Sequence, residues 1–395
     1  MRVRKLVNLY KFINGVEMQN LSEEKFGHMD DVNLKQYELF QEYQQRDEEE
    51  SQDVTEAIVP PPDIVAFTEQ RSCADIFRMY DKGQLDINPD FQRGEVWTNR
   101  SQTLFIDSLM KQLPIPSMCI SLDIKTQKRL VIDGLQRITS IVKFLNPKET
   151  WKLAKVDDAD DRISGKTTAK IRLNNNEIYD IVENVTIPIT VLRCDYSNDN
   201  HMRYLFQIFY RLNSGGNKLY NQEIRNCIFQ GDFNDLLKSL VRTELWLKFA
   251  NTSIEKVDKA RFANEERLLR FYAFYNNYAS YSGRLASFLN DYMNANKILS
   301  EEMIRRFQQL FVDTMGVATL LNTTVDSKNV ADAVLVGIAK NIDSLKSKQP
   351  EDINRLYCEL MAEPEFSAEG LQDGLGSTEK VKGRILKSIE VFNRG

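Results

Sequence analysis

The amino-acid sequence predicts an α+β protein, with a mixed α/β domain at residues 63–198 and an all-helical domain at residues 199–395. Two observations indicate this class. Short apolar strands alternate with amphipathic helices up to Cys194, whereas the apolar spacing from Asp199 onward is almost wholly helical. A chain of 395 residues is also too long for one small core, so two domains are expected.

The composition is typical of a globular cytoplasmic protein. Apolar residues make up 42% of the chain, and no run of about 18 apolar residues occurs, so no membrane span is expected. The N-terminus has charges within its apolar part and no small-residue cleavage site, which argues against a signal peptide. The five scattered cysteines contain no CxxC pair and predict buried free thiols in a reducing compartment.

Residues 1–62 are predicted to form a polar, partly disordered segment that ends in a proline linker. Residues 1–56 carry 7 lysines and arginines against 13 aspartates and glutamates, so the remainder is close to neutral. Val32–Tyr43 has the spacing of a short helix, and Pro60–Pro62 predicts a stiff extended spacer. A near-neutral folded part allows a local nucleic-acid surface but does not demand one.

The chain has only two histidines, His28 and His201. A histidine-rich metal centre, a zinc-protease HExxH motif and an HNH nuclease site are therefore not expected. His201 opens an apolar helix, where a surface or capping role is favoured over catalysis.

Strands and helices alternate through the α/β domain. Ser72 followed by Asp75 predicts a capping box at the first helix, and a polar turn between two strands predicts a hairpin. Residues 148–183 are polar and predict an irregular excursion, while Pro188 places the last strand at an edge or a bulge. The predicted strands are Ile64–Thr68, Leu85–Ile87, Ser117–Asp123, Lys128–Ile132 and Val185–Cys194, and the first two helices are Ser72–Asp81 and Asn99–Lys111.

The second domain is predicted to be an all-α bundle. Aromatic residues stand at helical spacing in RLLRFYAFYNNYASY, which is more typical of a core than of a base-stacking platform. The predicted helices span residues 199–212, 220–230, 232–249, 264–278, 282–295, 299–321, 327–346 and 378–393.

The stretch Arg129–Leu145, RLVIDGLQRITSIVKFL, predicts a strand that turns at Asp133-Gly134 into an amphipathic helix. This arrangement places the free N–H groups and positive dipole end of the helix at the rim of the sheet, where a phosphate can bind. The alternative is a capping box between Asp133 and Gln136, which needs no ligand. Arg137 favours a ligand, because a cation at a helix N-terminus opposes the dipole unless an anion or carboxylate answers it.

Two further polar motifs flank this turn in the predicted fold. FQRGEVW, residues 91–97, places Arg93 beside a glycine, either in a salt bridge or as a second cation at the phosphate site. RLNSGGNKLYNQEIRN, residues 211–226, ends one helix with residues that tolerate positive φ. Its backbone amides form either a plain helix cap or an anion nest surrounded by Arg211, Asn213 and Asn217.

These motifs, with IDSLMKQLPIP between them, resemble in order and spacing the N-terminal domain of GmrSD-type restriction enzymes. RFANEERLLRFYAF and YSGRLASFLNDYM resemble its helical continuation, so the likeness covers roughly residues 63–293. The resemblance implies a fold like the ParB and sulfiredoxin nucleotide-binding modules. It also implies binding and hydrolysis of a nucleoside triphosphate at a DGQQR motif.

By position, Asp133, Gly134, Gln136 and Arg137 match this motif, and Arg93 matches the arginine of the FQR block. Position 135 departs, because Leu135 stands where the family has its first glutamine. Leu135 falls on the apolar face of the predicted helix, so packing can absorb the change. The departure puts hydrolysis in doubt more than binding. Many relatives carry a C-terminal HNH nuclease domain, which this sequence is expected to lack because no histidine follows His201.

The resemblance implies a cytoplasmic component of a prokaryotic antiphage or modification-dependent restriction system, with DNA and a nuclease or ATPase on a separate chain as partners. Arg93, Gly134, Arg137, Arg211 and Asn213 are the expected nucleotide-binding residues. The expected catalytic residues are Asp133, Gln136 and Arg137, with Asp133 as the residue that holds Mg²⁺.

Two other functions stay open. One is a DNA-binding or adaptor module that nucleotide binding switches without hydrolysis. The other, less favoured because no carboxylate cluster accompanies Asp133, is direct phosphodiester cleavage. No Walker A pattern occurs, which excludes an ordinary P-loop enzyme.

Overall fold

The computed structural model describes residues 59–87, 97–213, 219–325, 327–367, 369–371 and 374–394. All of them belong to one compact unit, residues 53–395. The predicted helix at Val32–Tyr43 lies outside the described residues, as do Arg93 and Asn217. No helix in these ranges is long and apolar enough to cross a bilayer.

A five-stranded mixed sheet forms the first part of this unit, in the order β1-β5-β3-β4-β2. β3 lies at its centre and is almost wholly buried, as its apolar sequence MCISLD predicts. β3 and β4 form the predicted antiparallel hairpin, while β3 pairs with β5 in parallel. The strands are β1 (Val65–Ser72), β2 (Leu85–Asp86), β3 (Met118–Asp123), β4 (Arg129–Asp133) and β5 (Thr186–Cys194).

Within the described residues, five helices accompany the sheet. Ser72 caps the first of them by accepting a hydrogen bond from the Asp75 N–H group at 3.0 Å, as its sequence predicts. The buried faces of α1, α2, α3 and α5 pack together and share one core with the strands. These helices are α1 (Cys73–Asp81), α2 (Asn99–Met110), α3 (Leu135–Leu145), α4 (Thr168–Asn174) and α5 (Asn176–Asn184).

Two predictions in this part need correction. The predicted irregular excursion at residues 148–183 is irregular only up to Thr167, since α4 and most of α5 follow and bury Ile171, Ile178 and Val182. β5 is not an edge strand, because it pairs with β1 on one side and β3 on the other. Pro188 is tolerated because pairing with β3 begins only at Ile189, so this residue has β1 as its paired neighbour.

The rest of the unit is helical, so the predicted α+β class is confirmed. The helix predicted at residues 232–249 is two helices, and the helix predicted at 327–346 is divided at Asn341. The helices at residues 254–259 and 350–361 were not predicted from the sequence. The helices are α6 (Asp199–Leu212), α7 (Asn221–Ile228), α8 (Asp232–Leu240), α9 (Glu244–Phe249), α10 (Ile254–Lys259), α11 (Ala263–Asn277), α12 (Leu285–Ala295), α13 (Glu301–Ala318), α14 (Lys328–Lys340), α15 (Ile342–Leu345), α16 (Pro350–Met361) and α17 (Thr378–Phe392).

The aromatic stripe lies on α11 and is core, as predicted. Phe271, Tyr272 and Phe274 are each at most 1% exposed. On the same helix, the buried Arg270 makes an ion pair with Asp332 of α14. Removing one partner of such a buried pair lowers the stability of the fold by about 3–5 kcal/mol. This contact therefore fixes α11 and α14 relative to each other. Of the five cysteines four are buried free thiols, whereas Cys358 is exposed and departs from the prediction.

Candidate functional site

The predicted strand–turn–helix is present. β4 ends at Asp133, Gly134 turns the chain with φ of 91°, and α3 begins at Leu135. Only glycine suits this turn, because its φ lies in the left-handed region and a Cβ there would approach Met118 Cγ to 2.6 Å. The Asp-Gly sequence therefore determines how α3 leaves the sheet.

The capping-box interpretation of this turn was wrong. The N-cap of α3 is Gly134, and no side chain among the described residues caps the helix. The Gln136 Oε1 atom instead accepts a hydrogen bond from the Trp97 N–H group at 3.2 Å. Asp133 is engaged by Arg137, whose Nη2 lies 2.9 Å from Asp133 Oδ2. The first turn of α3 thus keeps its backbone donors clear of side-chain caps.

A carboxylate neutralises the charge of Arg137. Its guanidinium pairs with Asp133 and also donates from Nη1 to the Pro116 carbonyl oxygen at 2.5 Å. The Arg137 side chain is 14% exposed, whereas that of Asp133 is 43% exposed. Arg137 is therefore held against the protein, and the carboxylate is the part of the pair that faces solvent.

Four motifs that lie far apart in the sequence meet at this turn. Trp97, at the end of FQRGEVW, bonds to Gln136, and Pro116, at the end of LPIP, bonds to Arg137. The Asn213 Nδ2 group, from the RLNSGGN motif, donates to the Ile132 carbonyl oxygen at 3.3 Å and to the Phe209 carbonyl oxygen at 2.8 Å. The DGLQR turn is consequently the junction of all four motifs.

The other predicted site residues lie around this junction or outside the description. Arg211 is exposed in the last turn of α6, two residues before Asn213. Arg93 lies outside the described ranges, four residues before Trp97. The glycines of the RLNSGGN motif also lie outside them, shortly after Asn213. Leu135 is 7% exposed and packs in the same core as Ile138, so its predicted place on the apolar face is confirmed.

The other described groups near the turn do not form a nucleophile or a metal-binding cluster. Burial raises the pKa of the Cys119 thiol to about 12, with a contribution from nearby Asp133, so this thiol stays protonated at neutral pH. No group of three His, Cys, Asp or Glu residues within the described ranges has the arrangement of a metal site. Asp133 is thus a single carboxylate beside a helix N-terminus.

The surface or capping role predicted for His201 was wrong. His201 is 2% exposed, and its Nδ1 accepts a hydrogen bond from the Asp195 N–H group at 2.9 Å. Its Nε2 therefore carries the proton and donates to Asp63 Oδ1 at 2.9 Å. His201 ties the residues after Pro62 to the start of α6, and no sequence pattern pointed to that pairing.

The backbone contacts of the site were also missed. Trp97 and Pro116 take part through main-chain atoms, which carry no signature in the residue type.

Part of the chain matches a known family. Residues 73–230 match the model of the family described as GmrSD restriction endonuclease, N-terminal domain. This part of the chain is therefore a domain of that family, which confirms the resemblance seen in the sequence. The matched range contains all four motifs that meet at the turn, whereas the helical blocks up to Met293 lie beyond it. Comparisons with curated proteins and with solved structures gave no match.

Proposed function

We propose that the N-terminus of α3 binds the phosphates of a nucleoside triphosphate, and that the protein acts in a prokaryotic antiphage or modification-dependent restriction system. The observation that carries this proposal is the meeting of four separate motifs at one uncapped helix N-terminus. Apolar packing alone does not require hydrogen bonds between all four motifs. A restriction-enzyme domain over the same residues supports the assignment.

Each residue has a distinct task in this proposal. The N–H groups that begin α3 donate to phosphate oxygens, and the helix dipole favours the negative charge. Arg137 and Arg93 neutralise phosphate charge, with Arg137 held in place by the Pro116 carbonyl. Arg211, in the last turn of α6, contacts the nucleotide. Asn213 positions the end of α6 beside β4, because its Nδ2 group donates to the Ile132 and Phe209 carbonyl oxygens. Gln136 keeps its amide nitrogen for a water molecule, because its oxygen already accepts from Trp97.

Mg²⁺ suits Asp133. This cation is usually held by one or two carboxylates together with substrate phosphates, and so one carboxylate beside the phosphate site is enough. The Asp133 carboxyl faces solvent, and the pairing with Arg137 engages its Oδ2 atom. Asp133 would hold the ion, and Mg²⁺ would supply positive charge that offsets the negative charge developing during phosphoryl transfer.

Slow hydrolysis is the favoured outcome of binding. Leu135 is buried, so the residue that departs from the family motif is not placed to contact a reacting phosphate. The alternative is a nucleotide-gated DNA-binding or adaptor module. The pairing of Asp133 with Arg137 favours that alternative, because each residue neutralises the charge that the other needs for catalysis. DNA and a nuclease or ATPase on a separate chain are the proposed partners.

The experiment is a titration of the full chain with ATP, GTP, CTP and UTP, with and without Mg²⁺, that measures binding and phosphate release. We expect at least one nucleotide to bind and to be slowly hydrolysed when Mg²⁺ is present. Binding without release would select the gated module. Absence of binding by all four nucleotides in both conditions would refute the proposed site.

A further inference from the structure

A cavity lies away from the α3 N-terminus. It has a volume of about 550 Å³ and opens between Pro60–Asp63, one face of α6 and the first turns of α12. Pockets of roughly 300–1,000 Å³ hold ligands the size of a nucleotide or drug. The size of this cavity therefore fits a small organic molecule.

The floor of the cavity presents a hydrogen-bond donor. Asn290 is 5% exposed and lines the cavity, and its Oδ1 accepts from Arg225 Nε at 2.8 Å. An arginine can only donate, so this contact fixes the orientation of the amide and turns the Asn290 NH₂ group the other way. The NH₂ group makes no hydrogen bond with the described part of the chain. The NH₂ group is therefore open to the cavity, where an acceptor can bind it.

Positive charge stands at the same cavity. Arg203 on α6 and Arg284 before α12 both line it. Asp291 holds Arg203 through two hydrogen bonds of 2.7 and 2.8 Å, which leaves Nη1 of that side chain for another acceptor. The Ser287 hydroxyl lies one turn before Asn290. The donors thus come from two helices and face one space.

The remaining lining is partly apolar and partly amide, because Asn198, Asn200 and Gln207 also line the cavity. Phe206 and the prolines line one side, and the contact between His201 and Asp63 fastens the proline segment against α6. Among the described residues that line the cavity, Asp63 is the only acidic one, and its carboxylate is engaged by His201. The cavity therefore offers donors and cations against an apolar wall, with its one carboxylate already bonded.

We propose that this cavity binds a small organic anion, in which a phosphate or carboxylate group meets Asn290, Arg203 and Arg284 and an apolar part lies against Phe206. This site is distinct from the proposed nucleotide site and does not depend on it. Asn290 also bonds to Arg225 of α7, the helix that follows the RLNSGGN motif. An occupant that contacts Asn290 is therefore connected through this one side chain to α7.

The test uses the full chain carrying Arg137→Ala, so that binding at the α3 turn is weakened, and two probes, AMP and citrate. Calorimetric titration measures the affinity of each probe, and the two arms distinguish a phosphate from a carboxylate ligand. We expect one probe to bind. Asn290→Asp in the same background keeps the acceptor for Arg225 but replaces the donor by a negative charge, so affinity should fall about tenfold or more.

Arg284→Gln is the second variant, at an exposed position that lines the cavity. It should also weaken the probe several-fold, while Lys143→Ala, a matched loss of charge on α3, should not. Failure of both probes to bind would overturn the proposal. Equal affinity in Arg284→Gln and its parent would overturn it as well, whatever the stability of Asn290→Asp.

Discussion

Leu135→Gln changes DGLQR to DGQQR, the motif that the family resemblance implies, and it separates a core role from a catalytic role. Leu135 is 7% exposed, on the face of α3 that packs with Ile138 and Leu145. A buried leucine side chain contributes about 1.5–3 kcal/mol, and a buried amide without a partner costs about 1–3 kcal/mol. We therefore expect the substitution to lower the free energy of unfolding by about 3–5 kcal/mol, with no gain in phosphate release.

The assay is urea unfolding followed by circular dichroism, together with phosphate release at saturating nucleotide. Leu135→Met is the matched control, because it conserves volume and should cost less than about 1.5 kcal/mol. If position 135 contacted the reacting phosphate, restoring a donor there would raise the rate by ~10²–10³. A Leu135→Gln protein that is as stable as the wild type and releases phosphate that much faster would refute the core assignment.

Gly134→Ala should lower stability by about 2–4 kcal/mol, because a left-handed alanine is strained and its Cβ would crowd Met118; an unchanged urea midpoint would contradict the turn geometry. Asp195 has its pKa lowered to about 2, chiefly by its hydrogen bond with Lys125. Its contribution to stability is present above its ordinary pKa and is lost as the pH falls toward 2. Asp195→Asn should therefore be less stable at pH 7 yet lose less stability between pH 5 and 3, and parallel pH profiles would show that the ion pair does not matter.

The periodic parts of the chain were the predictable ones. α3 and the β3–β4 hairpin follow from alternating and helical apolar spacing, and Ser72 caps α1 as its sequence indicates. β5 was misplaced because a proline argues for an edge, whereas the parallel neighbour of this strand simply starts one residue later. The residue at which β3 begins depends on the tertiary structure, so it cannot be read from the sequence of β5.

The site was predictable as a set of motifs but not as a set of contacts. The sequence pattern at Asp133 and Gln136 is that of a capping box, yet each side chain is used by a distant partner, Arg137 or Trp97. Because Asp133 and Arg137 are four residues apart across a turn and a helix start, their pairing depends on the left-handed Gly134. His201 was missed for the same reason, since its partner Asp63 is 138 residues away in sequence.

The most direct test of the proposed site compares nucleotide affinity in Arg137→Ala and Lys143→Ala. Both variants remove one cation from α3, but Lys143 lies in its last turn and bonds to Gln102, away from the Gly134 turn. If Arg137 contacts phosphate, Arg137→Ala should weaken binding by about 1.5–3 kcal/mol, or roughly 10- to 150-fold in Kd. Lys143→Ala should bind as the wild type does. Equal Kd values in all three proteins, with unfolding midpoints that show Arg137→Ala to be folded, would contradict the assignment of the phosphate site.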